Sequence, residues 1–244
     1  MIQLSHIDQY YGSSHTLKDV NLTVREGSCT VLMGRNGVGK TTLMQCITGL
    51  VPIKNGEISL IGNEGDASHG KNNSHISLTK MSAEKRAAAG IGYVPQGRQV
   101  FPLLSVEENL AIGLSARKDG LRSIPDLIYS LFPVLKDMRK RRGGDLSGGQ
   151  QQQLAIGRAL VTQPDVLLLD EPTEGIQPNV VKDIGDIIRK LNREIGLTVL
   201  LVEQKLPFAR RIGDDYAIMD RGHIVSSGPM PELSDEQVRQ YLTV

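Results

Sequence analysis

Cysteine, tryptophan and long apolar runs are what this chain has least of. Its 244 residues include two cysteines, Cys29 and Cys46, and no tryptophan. Two cysteines are too few for a disulfide framework or a cysteine-rich metal cluster, and this usage is typical of a reducing compartment. No apolar run approaches the roughly 20 residues needed to cross a bilayer, and the N-terminal residues lack a signal-peptide pattern. We therefore expect a cytoplasmic protein, with other chains spanning any membrane that it serves.

An excess of charge of one sign is also missing. Lysine and arginine number 28 against 27 aspartates and glutamates, which gives a formal net charge of +1. A balanced chain has no long-range field to attract a polyanion, so we expect no nucleic-acid partner. The hydrophobic content of 39% is ordinary for a folded domain, and we expect one domain over residues 1–244.

The apolar runs that are present have the length of strands. Residues 27–34, 166–169 and 197–202 are nearly continuous in apolar side chains, which is typical of strands buried on both faces of a parallel sheet. The helical pattern of residues 179–196 joins the second run to the third. This order is a βαβ unit, for which a right-handed crossover is expected.

The rest of the chain predicts two further parts and a loop. Residues 2–11 and 17–24 alternate apolar and polar side chains, as half-buried antiparallel strands do. Residues from 97 to about 160 are mainly helical in pattern, and the polar, glycine- and serine-rich residues 64–80 predict a flexible surface loop. We therefore expect an α/β fold with a parallel-sheet core, an antiparallel β part and a helical part.

A phosphate-binding loop follows the first apolar run. The pattern Gly34-x-x-x-x-Gly39-Lys40-Thr41 lies between a predicted strand and a predicted helix, so a chance glycine turn is the weaker interpretation. Its backbone N–H groups and the helix N-terminus would surround a phosphate, with the lysine on the β- and γ-phosphates and the threonine hydroxyl on Mg²⁺. The residues expected to bind ATP here are Gly34, Asn36, Gly37, Gly39, Lys40, Thr41 and Thr42.

Two carboxylates end the second apolar run. Asp170 and Glu171 follow residues 166–169, and the carboxyl ends of strands line the ligand crevice of open α/β sheets. We expect Asp170 to bind Mg²⁺, and Glu171 to be the base for the attacking water, with Lys40 as the other catalytic group at the phosphates. The alternative is an ordinary acidic turn before Pro172.

Two single residues complete the candidate nucleotide site. Gln96 ends a short predicted strand at 91–96, where its amide could reach Mg²⁺ or the water; alone it would be a turn residue. Tyr11 lies before Gly12 and offers an aromatic face for adenine, with packing at the sheet edge as the alternative.

A second glycine-rich helix start carries no lysine. Residues 146–160 read LSGGQQQQLAIGRAL. Together with the P-loop, Gln96 and the acidic strand end, this motif resembles the nucleotide-binding domain of ABC ATPases, and the resemblance covers essentially the whole chain. It implies a RecA-like P-loop NTPase core with antiparallel β and helical subdomains, and two such domains packed head to tail. Ser147, Gly148, Gly149 and Gln150 would then bind the γ-phosphate of ATP held by the other subunit, since a helix start suits an anion.

A finer resemblance concerns transport. The stretches QYYGSSHTL, VLMGRNGVGKTTL and GIGYVPQGRQVFP are similar to the second ATPase subunit of bacterial urea-type importers, which are relatives of branched-chain amino-acid importers. This implies a partner ATPase, two membrane permease subunits, an extracytoplasmic binding protein, and a place on the cytoplasmic face of the inner membrane. Urea is the expected solute and branched-chain amino acids are the alternative. A soluble ABC protein and a P-loop kinase are weaker alternatives.

The chain departs from the wider ABC pattern at two places. Glu174-Gly175-Ile176-Gln177 stands where most of these domains have Ser-Ala-Leu-Asp, and Gln204 stands where most have histidine. A glutamine amide can donate to phosphate and accept from water but cannot titrate, so we expect Gln204 to be catalytic without being a pH switch.

Overall fold

Two sheets form the framework of the computed structural model, which describes residues 1–62, 75–117 and 119–243. The first sheet is antiparallel, with four strands in the order β2-β1-β4-β5. Its strands are β1 (Ile2–Tyr11), β2 (Ser14–Val24), β4 (Asn55–Ile61) and β5 (His75–Ser77). The alternating pattern of residues 2–11 and 17–24 correctly predicted β1 and β2.

The second sheet is the parallel core. Its strands are β3 (Cys29–Met33), β6 (Ile91–Val94), β7 (Val166–Asp170), β8 (Thr198–Val202), β9 (Asp215–Asp220) and β10 (His223–Pro229). The order is β10-β9-β3-β8-β7-β6, and every pair is parallel except β10 with β9, which form a hairpin. Every residue of β3, β7 and β8 is buried, which explains why these three strands have no polar alternation.

Helices cover both faces of this sheet. They are α1 (Lys40–Thr48), α2 (Ala83–Ala88), α3 (Val106–Ile112), α4 (Asp126–Leu131), α5 (Pro133–Asp137), α6 (Gly148–Val161), α7 (Pro178–Ile195), α8 (Leu206–Ile212) and α9 (Asp235–Tyr241), with 3-10 turns at Gly113–Ala116, Gly143–Asp145 and Met230–Glu232. Among the described residues, no helix is both long enough and apolar enough to cross a bilayer.

The sheet divides the apolar interior in two. One cluster contains Cys29 and packs the helices α3 to α8 on one face, while the other contains Cys46 and joins α1 to the antiparallel sheet. Burial raises the pKa of each thiol to about 12. The expected α/β fold with a parallel core, an antiparallel sheet and a helical part is therefore confirmed.

One predicted boundary was wrong in detail. The expected loop at 64–80 includes residues 64–74, which lie outside the described residues, and residues 75–77, which form strand β5. Ile76 pairs with Leu60, and Leu78 is fully buried beyond the strand. The first helix of the region that begins at 97 starts at Val106, after a capping box between Ser105 and Glu108.

Candidate functional site

The glycine-rich loop between β3 and α1 has a backbone that only glycine accommodates at key points. Gly34 has a φ of 149°, and a Cβ there would lie 2.3 Å from the carbonyl oxygen of Met219. Gly39 has a φ of 114°, and its Cβ would lie 2.9 Å from Leu17 Cδ2. Gly39 is also the N-cap of α1 and has no side chain to cap the first turn, so those N–H groups are free to bind an anion.

Lys40 is folded back over this loop. Its ammonium donates to the carbonyl oxygens of Gly34 and Arg35, both at 2.8 Å, and the residue is 5% exposed. Burial lowers the pKa of Lys40, while the charges of Glu171 and Asp170 act in the opposite direction. Carbonyl groups satisfy the donors without neutralising the positive charge, so the ammonium remains suited to a phosphate.

Asp170 ends β7 as a buried carboxylate. Burial is the main cause that raises its pKa to about 6, and the neighbouring charge of Glu171 adds to the rise. The hydroxyls of Thr41 and Tyr93 face the carboxylate and oppose the shift. Neither carboxylate oxygen completes a hydrogen bond of good geometry with a partner among residues 1–62, 75–117 and 119–243. Buried oxygens without partners beside a threonine hydroxyl are a donor set that fits Mg²⁺.

Glu171 is held in an unusual backbone conformation at the start of the next turn. Its φ is 48°, and its N–H donates to the carbonyl of Val202 at 3.0 Å. Its Oε1 accepts from Gln204 Nε2 at 2.6 Å. The same Gln204 nitrogen lies 2.7 Å from Asn36 Oδ1. Asn36, Gln204 and Glu171 therefore form a chain of polar side chains from the glycine-rich loop to the carboxylate.

Gln96 reaches the same carboxylate from the other side. Its Nε2 donates to Glu174 Oε2 at 2.8 Å and lies 3.4 Å from Glu171 Oε2. These side chains border a cleft of about 330 Å³. The lining residues are Thr16, Asn36, Gly37, Gly39, Lys40, Thr41, Thr42, Gln96, Glu171, Glu174 and Gln204. Most of the residues expected at the nucleotide site thus meet in one place.

Three residues at this site were not expected. Thr16 and Glu174 line the cleft. Glu203 is 3% exposed and accepts from Thr173 Oγ1 at 2.7 Å and from the N–H groups of Gln204 at 2.9 Å and Lys205 at 3.0 Å, which fixes the turn that carries Gln204. The sequence did contain a signal for Glu203, because it is an acidic residue at the end of a buried apolar run, as Asp170 is.

The lysine-free helix start lies apart from this cleft within the same chain. Ser147 is the N-cap of α6: its hydroxyl accepts from the N–H of Gln150 at 3.4 Å, and the Gln150 side chain accepts from the N–H of Ser147 at 2.9 Å. Ser147, Gly148, Gly149 and Gln150 are not part of the cleft lining. Gly149 has room for no side chain, since a Cβ would lie 2.8 Å from Val180 Cγ1.

Tyr11 lies at the exposed end of β1, next to α1. Its hydroxyl donates to Gln45 Oε1 at 3.3 Å, and the residue is half-exposed. Tyr11 is not part of the cleft lining, so its role toward adenine stays a prediction. The neighbouring Tyr10 is stacked on His15, with ring centroids 4.1 Å apart.

Known proteins share these features. A family model described as "ABC transporter" matches residues 17–174. The chain is 38% identical over 226 residues to the high-affinity branched-chain amino acid transport ATP-binding protein BraG of Pseudomonas aeruginosa, covering 92% of this chain and 91% of that protein. It is 35% identical over 238 residues to the probable branched-chain amino acid transport ATP-binding protein LivF of Archaeoglobus fulgidus, covering 97% and 95%.

The fold has solved counterparts as well. A dimeric post-hydrolysis structure of the ATP-binding cassette MJ0796, bound to ADP and Pi, superposes with a TM-score of 0.79 at 25% identity. The match covers 94% of this chain and 99% of that one.

Proposed function

The chain belongs to the ABC transporter family as an ATP-binding, ATP-hydrolysing domain, and on that premise we propose that it powers solute import by cycles of dimer closure and opening. The observation that carries the proposal is the hydrogen-bonded series of side chains from Asn36 through Gln204 to Glu171. It joins the phosphate-binding loop to a carboxylate that can accept a proton from water, which is the arrangement that ATP hydrolysis requires.

Each part of the cleft has a task toward ATP. The free N–H groups at the start of α1 bind the phosphates, and the Lys40 ammonium leaves its carbonyl partners for the β- and γ-phosphates. Glu171 takes the proton of the attacking water. Gln204 and Gln96 hold the two oxygens of that carboxylate, so that the base is oriented before water arrives.

Asp170 and Thr41 would hold Mg²⁺, and Gln96, which lines the same cleft as Thr41, is a further candidate ligand. The unpartnered oxygens of Asp170 support this assignment. When bound, the ion neutralises charge on the phosphate oxygens. Its positive charge would also favour the ionised form of Asp170, which burial alone disfavours.

The helix start at Ser147 serves the partner subunit. It lies outside the cleft of its own chain, yet its helix N-terminus and glycine backbone suit a γ-phosphate. Two chains arranged head to tail, either two copies or this chain with a partner ATPase, would complete two ATP sites. The dimeric state of the MJ0796 structure supports the pairing of two chains.

From the cytoplasmic face of the membrane, this chain would drive two transmembrane permease subunits that work with an extracytoplasmic binding protein, and these partners set the solute. Both relatives described above are named for branched-chain amino acid transport, and neither is named for urea. We therefore favour branched-chain amino acids as the imported solute, and urea becomes the second outcome to test.

The experiment reconstitutes the chain with its permease subunits in vesicles and measures ATP hydrolysis with added binding protein. Stimulation by leucine with its binding protein, but not by urea, is expected. Lys40→Ala is the control, because it removes the phosphate-binding charge and should abolish hydrolysis. Stimulation by urea alone would reverse the solute assignment, and hydrolysis that persists in Lys40→Ala would overturn the site.

A further inference from the structure

The segment after β6 has a left-handed backbone at three successive residues, two of which are not glycine. Gly97, Arg98 and Gln99 have φ values of 78°, 69° and 45°. Positive φ is costly for residues other than glycine and persists where surrounding contacts impose it. The conformation directs the side chain of Arg98 to a place between two functional elements.

The first of these elements is the acidic turn, which we define as residues 171–175. Arg98 Nη2 donates to the carbonyl oxygens of Gly175 at 3.2 Å and Glu174 at 3.4 Å. This turn also carries Glu171, whose carboxylate is the proposed base. A guanidinium bonded to two successive carbonyls restricts where the turn can lie.

The second element is the signature start, which we define as residues 147–149. A Cβ on Gly148 would lie 2.8 Å from Arg98 Nη1 and 3.1 Å from Cζ. The guanidinium is therefore packed against the first residue of α6, and any side chain at position 148 would displace it.

The loop that presents Arg98 is itself held in place. Arg158 of α6 donates to the carbonyl of Gln99 at 2.8 Å, and its guanidinium lies 5.1 Å from the ring centroid of Phe101. The fully buried Asn109 bonds both the N–H and the carbonyl of Phe101. Arg98 therefore extends from an anchored segment rather than from a free loop.

We propose that Arg98 is a positioning residue that fixes the signature start and the acidic turn of one chain at a set distance from each other. The proposal rests on the proposed function, in which the acidic turn serves the chain's own ATP and the signature start serves the partner's ATP. One arginine then sets the geometry of both composite sites at once. Gln96, two residues earlier, touches the same acidic turn from the cleft side.

The test compares amide hydrogen exchange in Arg98→Met and Arg98→Lys with that of the unmodified chain. Methionine keeps the stem but has no donor, whereas lysine keeps the charge without the planar fork. The reporting amides are those of Gln150 and Gln151, which donate to Ser147 of the signature start, and that of Glu174 in the acidic turn, which donates to the carbonyl of Glu171. We expect exchange in Arg98→Met to rise at least about fivefold at both places, and less in Arg98→Lys.

The start of α9 provides a matched internal control. It has the same capping box, in which the N–H of Gln237 donates to Ser234 Oγ. Among the described residues Arg98 bonds to the acidic turn and not to α9, so exchange there should stay unchanged. Arg189→Met, on the exposed side of α7, is the matched substitution. Faster exchange at only one of the two elements, or at neither, would overturn the proposal.

Turnover supplies a readout that a purely structural role would leave unchanged. In Arg98→Met we expect kcat to fall about tenfold while the KM for ATP and the melting temperature stay near those of the unmodified chain, since a displacement of about 1 Å in a catalytic group can cost far more. An unchanged kcat would contradict the positioning role. If the complex reconstituted with the unmodified chain hydrolyses no ATP, the proposed function fails, and the exchange measurement alone still decides whether Arg98 joins the two elements.

Discussion

Gln204 Nε2 lies 2.6 Å from Glu171 Oε1 and thereby connects the strand end of β8 to that of β7. The contact restricts the carboxylate before any substrate is present. Gln204→Ala would leave Glu171 free to rotate, so turnover should fall about tenfold or more while ATP affinity changes little. Steady-state hydrolysis measures the expected fall in turnover, and equilibrium nucleotide binding measures the unchanged ATP affinity. Equal turnover in Gln204→Ala and the unmodified chain would mean that Gln204 only completes the turn after β8.

Gln204→His should retain hydrolysis and acquire a pH dependence. An imidazole titrates at about 6.5 when unperturbed, whereas the amide does not titrate. We expect turnover to rise between about pH 6 and 7 as the imidazolium, a strong donor to Glu171, loses its proton. Rate profiles of the variant and the unmodified chain, measured side by side, check this. A flat profile for the variant would show that position 204 does not act on the reacting groups.

Comparing Glu171→Gln with Glu174→Gln tests which of the two carboxylates is the base. Glutamine keeps the shape but accepts no proton from water, so hydrolysis should fall by roughly two to four orders of magnitude, and ATP-bound dimers should accumulate. Glu174→Gln is the matched control, because Glu174 lines the same cleft and binds the same Gln96 amide. Gel filtration with ATP and Mg²⁺ and a turnover assay apply to both. The assignment fails if Glu174→Gln is the more damaged variant.

Asp170 should make the native state less stable as the pH rises. Its pKa is raised from 3.8 to about 6 in the folded chain, so the folded state binds the proton more tightly than the unfolded state does. Stability is therefore lost as the pH rises from about 4 through about 6 and stays lower above that range. Asp170→Asn removes this effect. The free energy of unfolding of the variant, relative to that of the unmodified chain, should therefore be higher at pH 7.5 than at pH 4.5, by at most about 3 kcal/mol.

Urea unfolding of Asp170→Asn at both pH values measures this difference. Asp183→Asn, on the exposed side of α7, is the control and should show no such dependence. Mg²⁺ with nucleotide should raise the melting temperature of the unmodified chain above the rise given by nucleotide alone, and this extra rise should vanish in Asp170→Asn. A Mg²⁺ effect that survives in the variant would remove Asp170 from the metal site.

Ser147→Arg should abolish hydrolysis and leave the nucleotide affinity of the monomer intact. The large cation would block the signature start, which in the proposed dimer serves the partner's ATP. Loss of the cap costs about 1 kcal/mol of stability, and Ser234→Arg, at the identical capping box of α9, separates that cost from the loss of function. Weaker ATP binding by the isolated Ser147→Arg monomer would contradict the division of the site between two chains.

Strands buried on both faces could be predicted from sequence because their apolar runs are nearly continuous, with Thr30 the polar residue inside β3. β3, β7 and β8 are fully buried, and their continuous apolar runs gave both their positions and the edge where Asp170 and Glu171 emerge. β5 has three residues, two of them exposed. Its pairing with β4 depends on a partner elsewhere in the chain, so local pattern could not predict it.

The same distinction applies to the candidate site. The P-loop could be predicted because its glycine spacing is a local requirement of the backbone. Glu174 and Arg98 could not, because their contacts depend on β6 lying beside β7 and on an unusual backbone at Arg98. The signature start could be assigned as a phosphate site only by resemblance, since in the proposed dimer its ligand is held by another chain.

Because Cys29 and Cys46 are buried, the native chain has no thiol that competes for a thiol-reactive label. With a pKa of about 12, each thiol is ionised in fewer than about one molecule in ten thousand at pH 7.5, and the thiolate is the form that reacts with maleimides. A cysteine introduced at exposed Asp145, just before the signature start, would then be the one reactive site. A fluorophore there could follow the approach of a second subunit without first replacing either native thiol.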